Sequence, residues 1–416
     1  MTKPKKQLDV AVIGGGPAGM MAAGRAAQLG ASVVLIEKNR KLGLKLLMTG
    51  GGRCNLTQAE YDTRRLVEKY GKSGKFLFSA FTAFGVKDTM YFFGSRGLAL
   101  KEEDGGRIFP AADRASDVQK ALTDYMKAGN VKVLAGTAVT GIEKEGNRIT
   151  KVLTSGDDII ASNYIVCTGG KSYPSTGSTG EGFGWVKHLG HNVTKLTPAL
   201  VPVTVREAWV REVEGASYSG VLNVYQGGKK RASEAGEGVF THSGLSGPAV
   251  LNLSKAIRAL MDEGEVKLSL DLMPGVNIEG LDAKVQGIFK DNQNRLIRNC
   301  LALFVTPRLV PLVLKLAGMD GDMQVNKASR TGRQALVRTL KGMEMTVKSL
   351  GGFEKAMVTA GGVSLKEVDQ RTMRSKVIEN LYFAGEVLDI DGPTGGYNLQ
   401  VCWSTGHAAG GYAALD

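Results

Sequence analysis

Residues 8–37 read LDVAVIGGGPAGMMAAGRAAQLGASVVLIE. Leu8 to Ile13 is a short apolar, β-rich run; GGGPAG follows, then MMAAGRAAQLG, whose small residues suit a helix pressed tightly onto a sheet, then a second apolar run, SVVLIE. Strand, glycine turn, helix and strand within so short a span predict a βαβ unit, with both strands covered on two faces as parallel strands are. Gly14, Gly16 and Gly19 fall in GxGxxG spacing at the strand-to-helix turn, with Pro17 and Ala18 between them. The first glycine permits the tight turn, the second lets a pyrophosphate approach the backbone, and the third lets helix and strand touch. The helix N-terminus then presents free N–H groups to the anion. Glu37 ends the second strand, where a carboxylate can accept hydrogen bonds from a ribose diol. The unit therefore predicts dinucleotide binding, against the alternative of a purely structural turn with a surface acid.

Working outward, glycine is in excess: 56 of 416 residues, about twice the usual ~7%. The glycines cluster, which implies backbone lying close to something. LMTGGGRCN (residues 47–55), YIVCTGG (164–170) and LYFAGEVLDIDGPTGGYN (381–398) are three more places where apolar runs meet glycines. A dinucleotide with a ribityl chain and a tricyclic ring needs several such approaches, including one remote from the fingerprint, so FAD is favoured over NAD as the resident cofactor. Gly395, Gly396, Tyr397 and Asn398 would open the last helix with amides directed at the flavin, whose reduced form its dipole would stabilise. Thr168, Gly169 and Gly170 follow a buried strand, and Gly385 and Glu386 another. The alternative is that these are ordinary strand–helix loops. No second strand–GxGxxG–helix unit occurs in the chain, so NADH or NADPH, if used, would reach the flavin through the substrate opening.

The texture of the chain divides it. Residues 61–94 read as helical and aromatic, 113–129 as an amphipathic helix, and TAVTGIEKEG, RITKVLTSG and DIIASNYIVCTGG as a β-meander ending in a buried strand at Cys167. From about Leu196 short strands with turns take over; residues 275–342 are helical and basic; after Leu350 buried-strand character returns. The expected organisation is α/β, with a discontinuous cofactor domain over 1–195 and 350–416, a β-rich insert over 196–274 with a return strand at 340–350, and a helical insert over 275–340.

Composition sets bounds. Hydrophobic residues at 43% and charged residues at 22% exclude disordered and collagen-like classes, and no apolar run approaches the ~18 residues of a membrane span. The basic TKPKKQ start leads into a glycine turn instead of a cleavage site, and the four cysteines (Cys54, Cys167, Cys300, Cys402) show no CxxC, so a reducing, cytoplasmic compartment with neither disulfides nor metal is expected. The balance of 53 basic and 40 acidic residues, +13, raises an anionic partner, nucleic acid among them, against ordinary solvated helix faces.

Several long motifs, KLGLKLLMTGGGRCNLT, GGKSYPSTGSTGEGF, FTHSGLSGP and GGVSLKEVD followed by NLYFAGEVLDIDGPTGGYNLQ, together with the fingerprint, resemble the flavoprotein family that includes BaiN and YhiN, over nearly the whole chain. The resemblance implies a glutathione-reductase-type FAD-binding Rossmann domain built from both chain ends, a β-barrel-like insert and a helical insert. It implies cofactor contacts at Gly14, Gly16, Ala18, Gly19, Glu37, Lys38, Lys45, Thr49, Gly50, Gly51, Gly52, Arg53, Cys54, Asn55, Val139, Gly169, Gly385, Glu386, Gly396, Tyr397, Asn398 and Leu399. The broader class often carries Gly-Asp where this chain has Gly385–Glu386. Members act as bile-acid enone reductases or aminoacetone oxidases. The implied activity is thus FAD-dependent hydride transfer, read first as an NAD(P)H-fed reduction of an activated C=C in a small-molecule substrate. An oxidase of a small amine and an RNA-associated flavoprotein are the alternatives. Candidate catalytic residues are Arg53, which can neutralise a substrate carboxylate or reduced flavin or else pair structurally; His242, a general acid or an organiser of its loop; and Tyr397, better placed to stack near the ring than to move a proton. Lys171 and Tyr173 line the pocket or shape its loop. Cys54 lacks the partner thiol that covalent redox chemistry needs.

Overall fold

A computed structural model describes residues 8–416, so the basic start of the chain lies outside the described residues. The chain forms two compact units, Met1–Pro198 with Ala356–Asp416, and Ala199–Lys355.

Unit one is built on a five-stranded parallel sheet. Strand β1 (Leu8–Ile13) lies between β2 (Val33–Glu37) and the strand Ala161–Val166; Lys132–Ala135 and Leu381–Phe383 form the edges. Helix α1 (Pro17–Gln28) crosses over from β1 to β2. It packs on the closing helix Tyr397–Leu415, which is buried nearly all round. Small residues set that packing. A Cβ on Gly406 would lie 2.6 Å from the Ala18 carbonyl oxygen, and one on Gly410 2.2 Å from that of Ala22. The two helix backbones are therefore in direct contact. Trp403 donates to the Leu56 carbonyl at 2.9 Å, and Thr57 donates to the buried Gln400 side chain at 2.6 Å, so the closing helix also holds the chain that leaves the 49–55 turn.

The expected meander takes a different form. Val139–Glu145 and Arg148–Thr154 make a hairpin; the third run pairs with it antiparallel only at the Val152–Ile159 bridge, then enters the parallel sheet beside β1. Its buried sequence from Asn163 to Val166 explains why: both faces are covered, as a central parallel strand requires and an exposed hairpin strand does not.

Unit two is a closed antiparallel barrel of six strands. Their order is Val203–Val205, Gly244–Ser246, Lys229–Thr241, Ser217–Gln226, Lys267–Asp271 and Met343–Leu350, and the last of these is the strand that returns after the helical stretch. Alternation along the long strands puts Leu222 and Val224 inside. The helices Ile278–Asp291, Val310–Ala317 and Arg330–Lys341 share one hydrophobic core with the barrel. Leu272 N–H donates to the Leu340 carbonyl at 2.9 Å, tying the last helix to the strand it follows in space. Among the described residues no helix is long and apolar enough to cross a membrane.

Candidate active site

The glycines of the fingerprint differ in what surrounds them. Gly14 has φ +106°, and a Cβ there would meet the Cys167 carbonyl oxygen at 2.5 Å. A Cβ on Gly19 would meet the Gly14 carbonyl oxygen at 1.9 Å, so the third glycine is what lets α1 rest on β1. In front of Gly16 there is nothing within 4 Å. Helix α1 has no side-chain cap and no acid in its first turn, leaving its first N–H groups to an anion. Glu37 accepts from Gly15 N–H at 2.7 Å through one oxygen, and from the backbone and side chain of Asn39 at 2.8 Å through the other.

These residues line a cleft that holds about 1330 Å³ of space, part of it open to solvent, and whose wall comes wholly from unit one. Of the residues expected to hold the cofactor, it brings together Gly14, Gly16, Pro17, Ala18, Glu37, Lys38, Lys45, Thr49, Val139, Thr168, Gly169, Glu386, Asn398 and Leu399. Fingerprint turn and closing-helix start, nearly four hundred residues apart in sequence, share one wall. The fit to an extended dinucleotide rests on the open face at Gly16, the uncapped α1 and the length of this wall.

On the far side of the cleft a carboxylate is fully committed. Glu386 Oε1 accepts from Thr359 N–H at 2.8 Å and from the Ser172 hydroxyl at 2.9 Å, while Lys45 Nζ donates to Oε2 at 2.7 Å and to Ser172 Oγ at 2.8 Å. Gly170 must be glycine here, since a Cβ would lie 2.4 Å from Thr359 Oγ1 and 2.6 Å from Glu386 Oε1. Lys38 reaches Thr179 at 2.9 Å and Glu181 at 3.0 Å, bracing the 176–182 loop over the cleft. That loop, with Trp185, Met357 and Val358, lines the cleft; its motif carries the family resemblance, but none of these residues was among those expected to hold the cofactor. The signal was its run of small residues, STGSTGEG, in front of a helix.

Other expected residues stand elsewhere. Gly19 and Gly385 lie behind the wall; a Cβ on Gly385 would meet that of Ala18 at 2.7 Å. Gly50, Gly51 and Gly52 form an exposed left-handed turn, with φ of 57°, 67° and 88°. Gly395 and Gly396 also have positive φ, and Gly396 sits on the Thr57 backbone, where a Cβ would be 2.5 Å away. Asn55 is part-buried beneath this turn; the amide orientation that satisfies it accepts from Gly396 N–H at 3.2 Å. The Asn398 side chain clamps the loop before the closing helix through Gly392 N–H at 2.9 Å and the Gly392 and Pro393 carbonyls. Tyr397 is packed edge-on against Tyr70, whose hydroxyl donates to the Tyr397 carbonyl at 2.9 Å. Its ring supports the loop and does not line the cleft, and burial raises its hydroxyl pKa. Tyr173 lies in a left-handed turn with its hydroxyl 3.7 Å from Met357 Sδ, and Lys171 N–H donates to Thr359 Oγ1; both shape the loop and neither lines the cleft. Cys54, at φ 63°, is buried, and burial pushes its thiol up to about 12.

His242 belongs to unit two, where it is exposed with Nδ1 3.1 Å from Glu214 Oε2. Arg53 lies outside the cleft wall, in an ion cluster. Its guanidinium bonds to Glu103 and, at 2.8 Å, to Asp113, and covers the Phe109 ring at 4.0 Å; Lys101 bonds to Asp113 at 2.6 Å. Arg53 holds Glu103 below the usual carboxylate range, and Lys101 and Arg53 do the same to Asp113. Of the two readings of Arg53, geometry favours structural pairing. Depressed carboxyls contribute stability above their usual range and lose it as pH falls through the lowered value. Arg53→Gln is therefore expected to begin acid unfolding at higher pH, while FAD content and flavin reduction rate stay within about twofold of wild type, since exposed pairs contribute little else. A tenfold slower reduction, by stopped flow, would return Arg53 to the reaction.

A family model described as the HI0933-like protein Rossmann domain matches residues 8–412. The chain belongs to this family. The HI0933-like chain is 31% identical over 412 residues to a 3-dehydro-bile acid delta(4,6)-reductase of Clostridium scindens, covering 97% of this chain and 98% of the relative. It is also 31% identical over 406 residues to a ribosomal RNA dihydrouridine synthase of Escherichia coli, covering 97% of each. In fold it is similar to a 3-ketosteroid delta1-dehydrogenase from Sterolibacterium denitrificans, with a TM-score of 0.55, 13% identity, and coverage of 99% of this chain and all of that one. The chain is an oxidoreductase of the FAD-binding Rossmann class.

Proposed function

We propose that this chain reduces a carbon–carbon double bond conjugated to a carbonyl, with NADH or NADPH delivering electrons through the opening that admits substrate. The observation that carries this reading is the shared wall of Gly14–Ala18 and Asn398–Leu399 in one cleft. FAD, when bound, supplies the hydride chemistry. The protein's part is to bind and orient. The uncapped start of α1 takes the diphosphate, Glu37 takes a ribose while Gly15 and Asn39 hold its carboxylate still, and the Lys45–Glu386 pair, neutralised internally, fixes a polar stretch of the cleft wall. The positive end of the closing helix, at Asn398 and Leu399, favours negative charge on whatever ring lies against it.

Two substrate classes fit this bond chemistry. The Clostridium relative is named for a steroid enone, a small molecule. The Escherichia relative is named for dihydrouridine, which differs from uridine by hydrogen across a C=C conjugated to a ring carbonyl. The net charge of +13 favours the RNA arm as a second reading. Anaerobic stopped flow tests the proposal. NADH or NADPH is expected to bleach the flavin, and a steroid enone or a uridine-containing RNA to restore its colour without oxygen. Bleaching by aminoacetone with peroxide on re-aeration, and none by NAD(P)H, would make the chain an amine oxidase instead.

A further inference from the structure

The cleft leaves unused an exposed cationic and aromatic surface on unit one. The helices Thr63–Glu68 and Gly74–Ala83, with the turn between them, carry Arg64, Arg65, Lys69, Lys72 and Lys75, all exposed. Among the described residues none of the five has an ion-pair partner within 4.0 Å. Of the acids nearby, Asp62 accepts from the N–H groups of Arg64 and Arg65, Asp88 from Gly85 N–H and Glu60 from Asp62 N–H, while Glu68 is exposed among the cations. Surfaces that are merely solvated intersperse both signs in balance; from residue 60 to residue 75 five cations stand against Glu60, Asp62 and Glu68, an excess of positive charge.

Large aromatics join them. Tyr61 is 47% exposed and Tyr91 77% exposed. Tyr61 packs against the helix Val86–Gly94 that carries Tyr91: its hydroxyl lies 3.8 Å from Met90 Sδ and Lys87 Nζ sits 5.8 Å over its ring. A single exposed ring is ordinary on a protein surface; what sets these two apart is their place beside an excess of cations.

The patch is anchored to the loop that enters the closing helix. Tyr70, between Lys69 and Lys72 in sequence, is buried with its hydroxyl on the Tyr397 carbonyl, and Ser73 Oγ donates to the Asp389 carbonyl at 3.1 Å. Tyr61 follows by four residues Thr57, whose backbone touches Gly396, so it lies within the ~14 Å that four residues can span. The start of that helix is part of the cleft wall.

We infer that this surface docks structured RNA. Its cations contact phosphates, and Tyr61 and Tyr91 serve as platforms for unpaired bases. The inference rests on the RNA arm of the function proposed above, and it is tested by binding without turnover, so that loss of docking and absence of RNA reduction are separate results.

The FAD-loaded full chain is titrated with Escherichia coli ribosomal RNA over a range of salt, and separately with phosphatidylglycerol vesicles. The combined variant Arg64→Gln, Arg65→Gln, Lys69→Gln, Lys72→Gln, Lys75→Gln is expected to flatten the slope of log affinity against log salt by about 3 and to weaken binding at least ~30-fold at ~100 mM salt. Tyr61→Ala with Tyr91→Ala is expected to weaken it about tenfold with the slope unchanged. Flavin absorbance and melting temperature report that each variant is folded. Wild-type affinity and slope in the five-residue variant would overturn the inference. So would loss of binding only on Arg330→Gln with Arg338→Gln in unit two, or binding to the vesicles with none to RNA.

Discussion

Gly19→Ala is expected to yield a destabilised, colourless protein, whereas Gly16→Ala yields a stable one that binds FAD weakly. The two substitutions add the same methyl group within one six-residue turn, and the surroundings alone separate them. At Gly19 the new carbon would lie 1.9 Å from the Gly14 carbonyl oxygen, a backbone atom that cannot swing aside. Helix α1 would have to lift off β1, and the closing helix, in backbone contact with α1 at Ala18 and Ala22, would lose its seat as well. Overpacking of a core typically costs ~1–3 kcal/mol, and a clash of backbone with backbone belongs at or above the top of that range. At Gly16 a Cβ meets nothing within 4 Å, and φ is −78°, a value any residue adopts. The FAD-free Gly16→Ala protein should therefore melt within a degree or two of wild type, a shift well under ~0.5 kcal/mol. If a diphosphate approaches that open face, the methyl group stands in its way, and FAD affinity should fall by at least ~1.4 kcal/mol, a factor of ten. Melting of the FAD-free proteins and fluorescence titration with FAD check both halves. Unchanged FAD affinity in Gly16→Ala would remove the fingerprint from the cofactor site, and wild-type stability in Gly19→Ala would contradict the packing.

The second large effect is expected at Glu386. Its carboxylate accepts from Thr359, Ser172 and Lys45, and the paired Lys45 and Glu386 side chains are only 21% and 17% exposed. Glu386→Ala would leave the Lys45 ammonium without its counter-charge, and a backbone N–H and a buried hydroxyl without their acceptor. Removing one partner of a buried pair costs ~3–5 kcal/mol; for this partly exposed pair ~2–3 kcal/mol is expected. Glu386→Gln keeps an oxygen for Thr359 and Ser172 and should cost about half as much. Lys45→Ala added to Glu386→Ala should cost little more than the single change, because the orphaned charge has gone with its partner. Additive losses in this cycle, measured by denaturant unfolding, would mean that the two residues act independently. FAD affinity should fall in step with the loss of the network, since Lys45, Thr49 and Glu386 share the cleft wall.

Legibility followed the range of the interactions. The βαβ unit could be read because strand, turn, helix and strand are consecutive and each residue type is chosen for its immediate neighbours. The same holds for the glycine-entered closing helix. The strand Ala161–Val166 was visible as a strand but not as a member of the parallel sheet, because its pairing with β1 joins residues about 150 apart and leaves no periodic mark. Arg53 beside three glycines reads as a site residue. That it is held by Glu103 and Asp113, 50 and 60 residues away, appears only when the antiparallel pair Leu100–Glu103 and Arg107–Pro110 is in place beside it. The 176–182 loop was conspicuous for small residues, yet only its position over the cleft gives them a purpose.

By itself the amino-acid sequence determined the dinucleotide turn, the class of cofactor it favours and the return of the chain's far end to the first sheet, because glycine spacing and apolar runs encode backbone conformation locally. Tertiary structure decided which charged groups are free. Lys45 and Glu386, 341 residues apart, neutralise one another, while Arg64, Arg65, Lys69, Lys72 and Lys75 face solvent with no ion-pair partner among the described residues. A side chain's charge is written in its residue type, but its partner is set by which distant backbone segments the fold brings within ~4 Å.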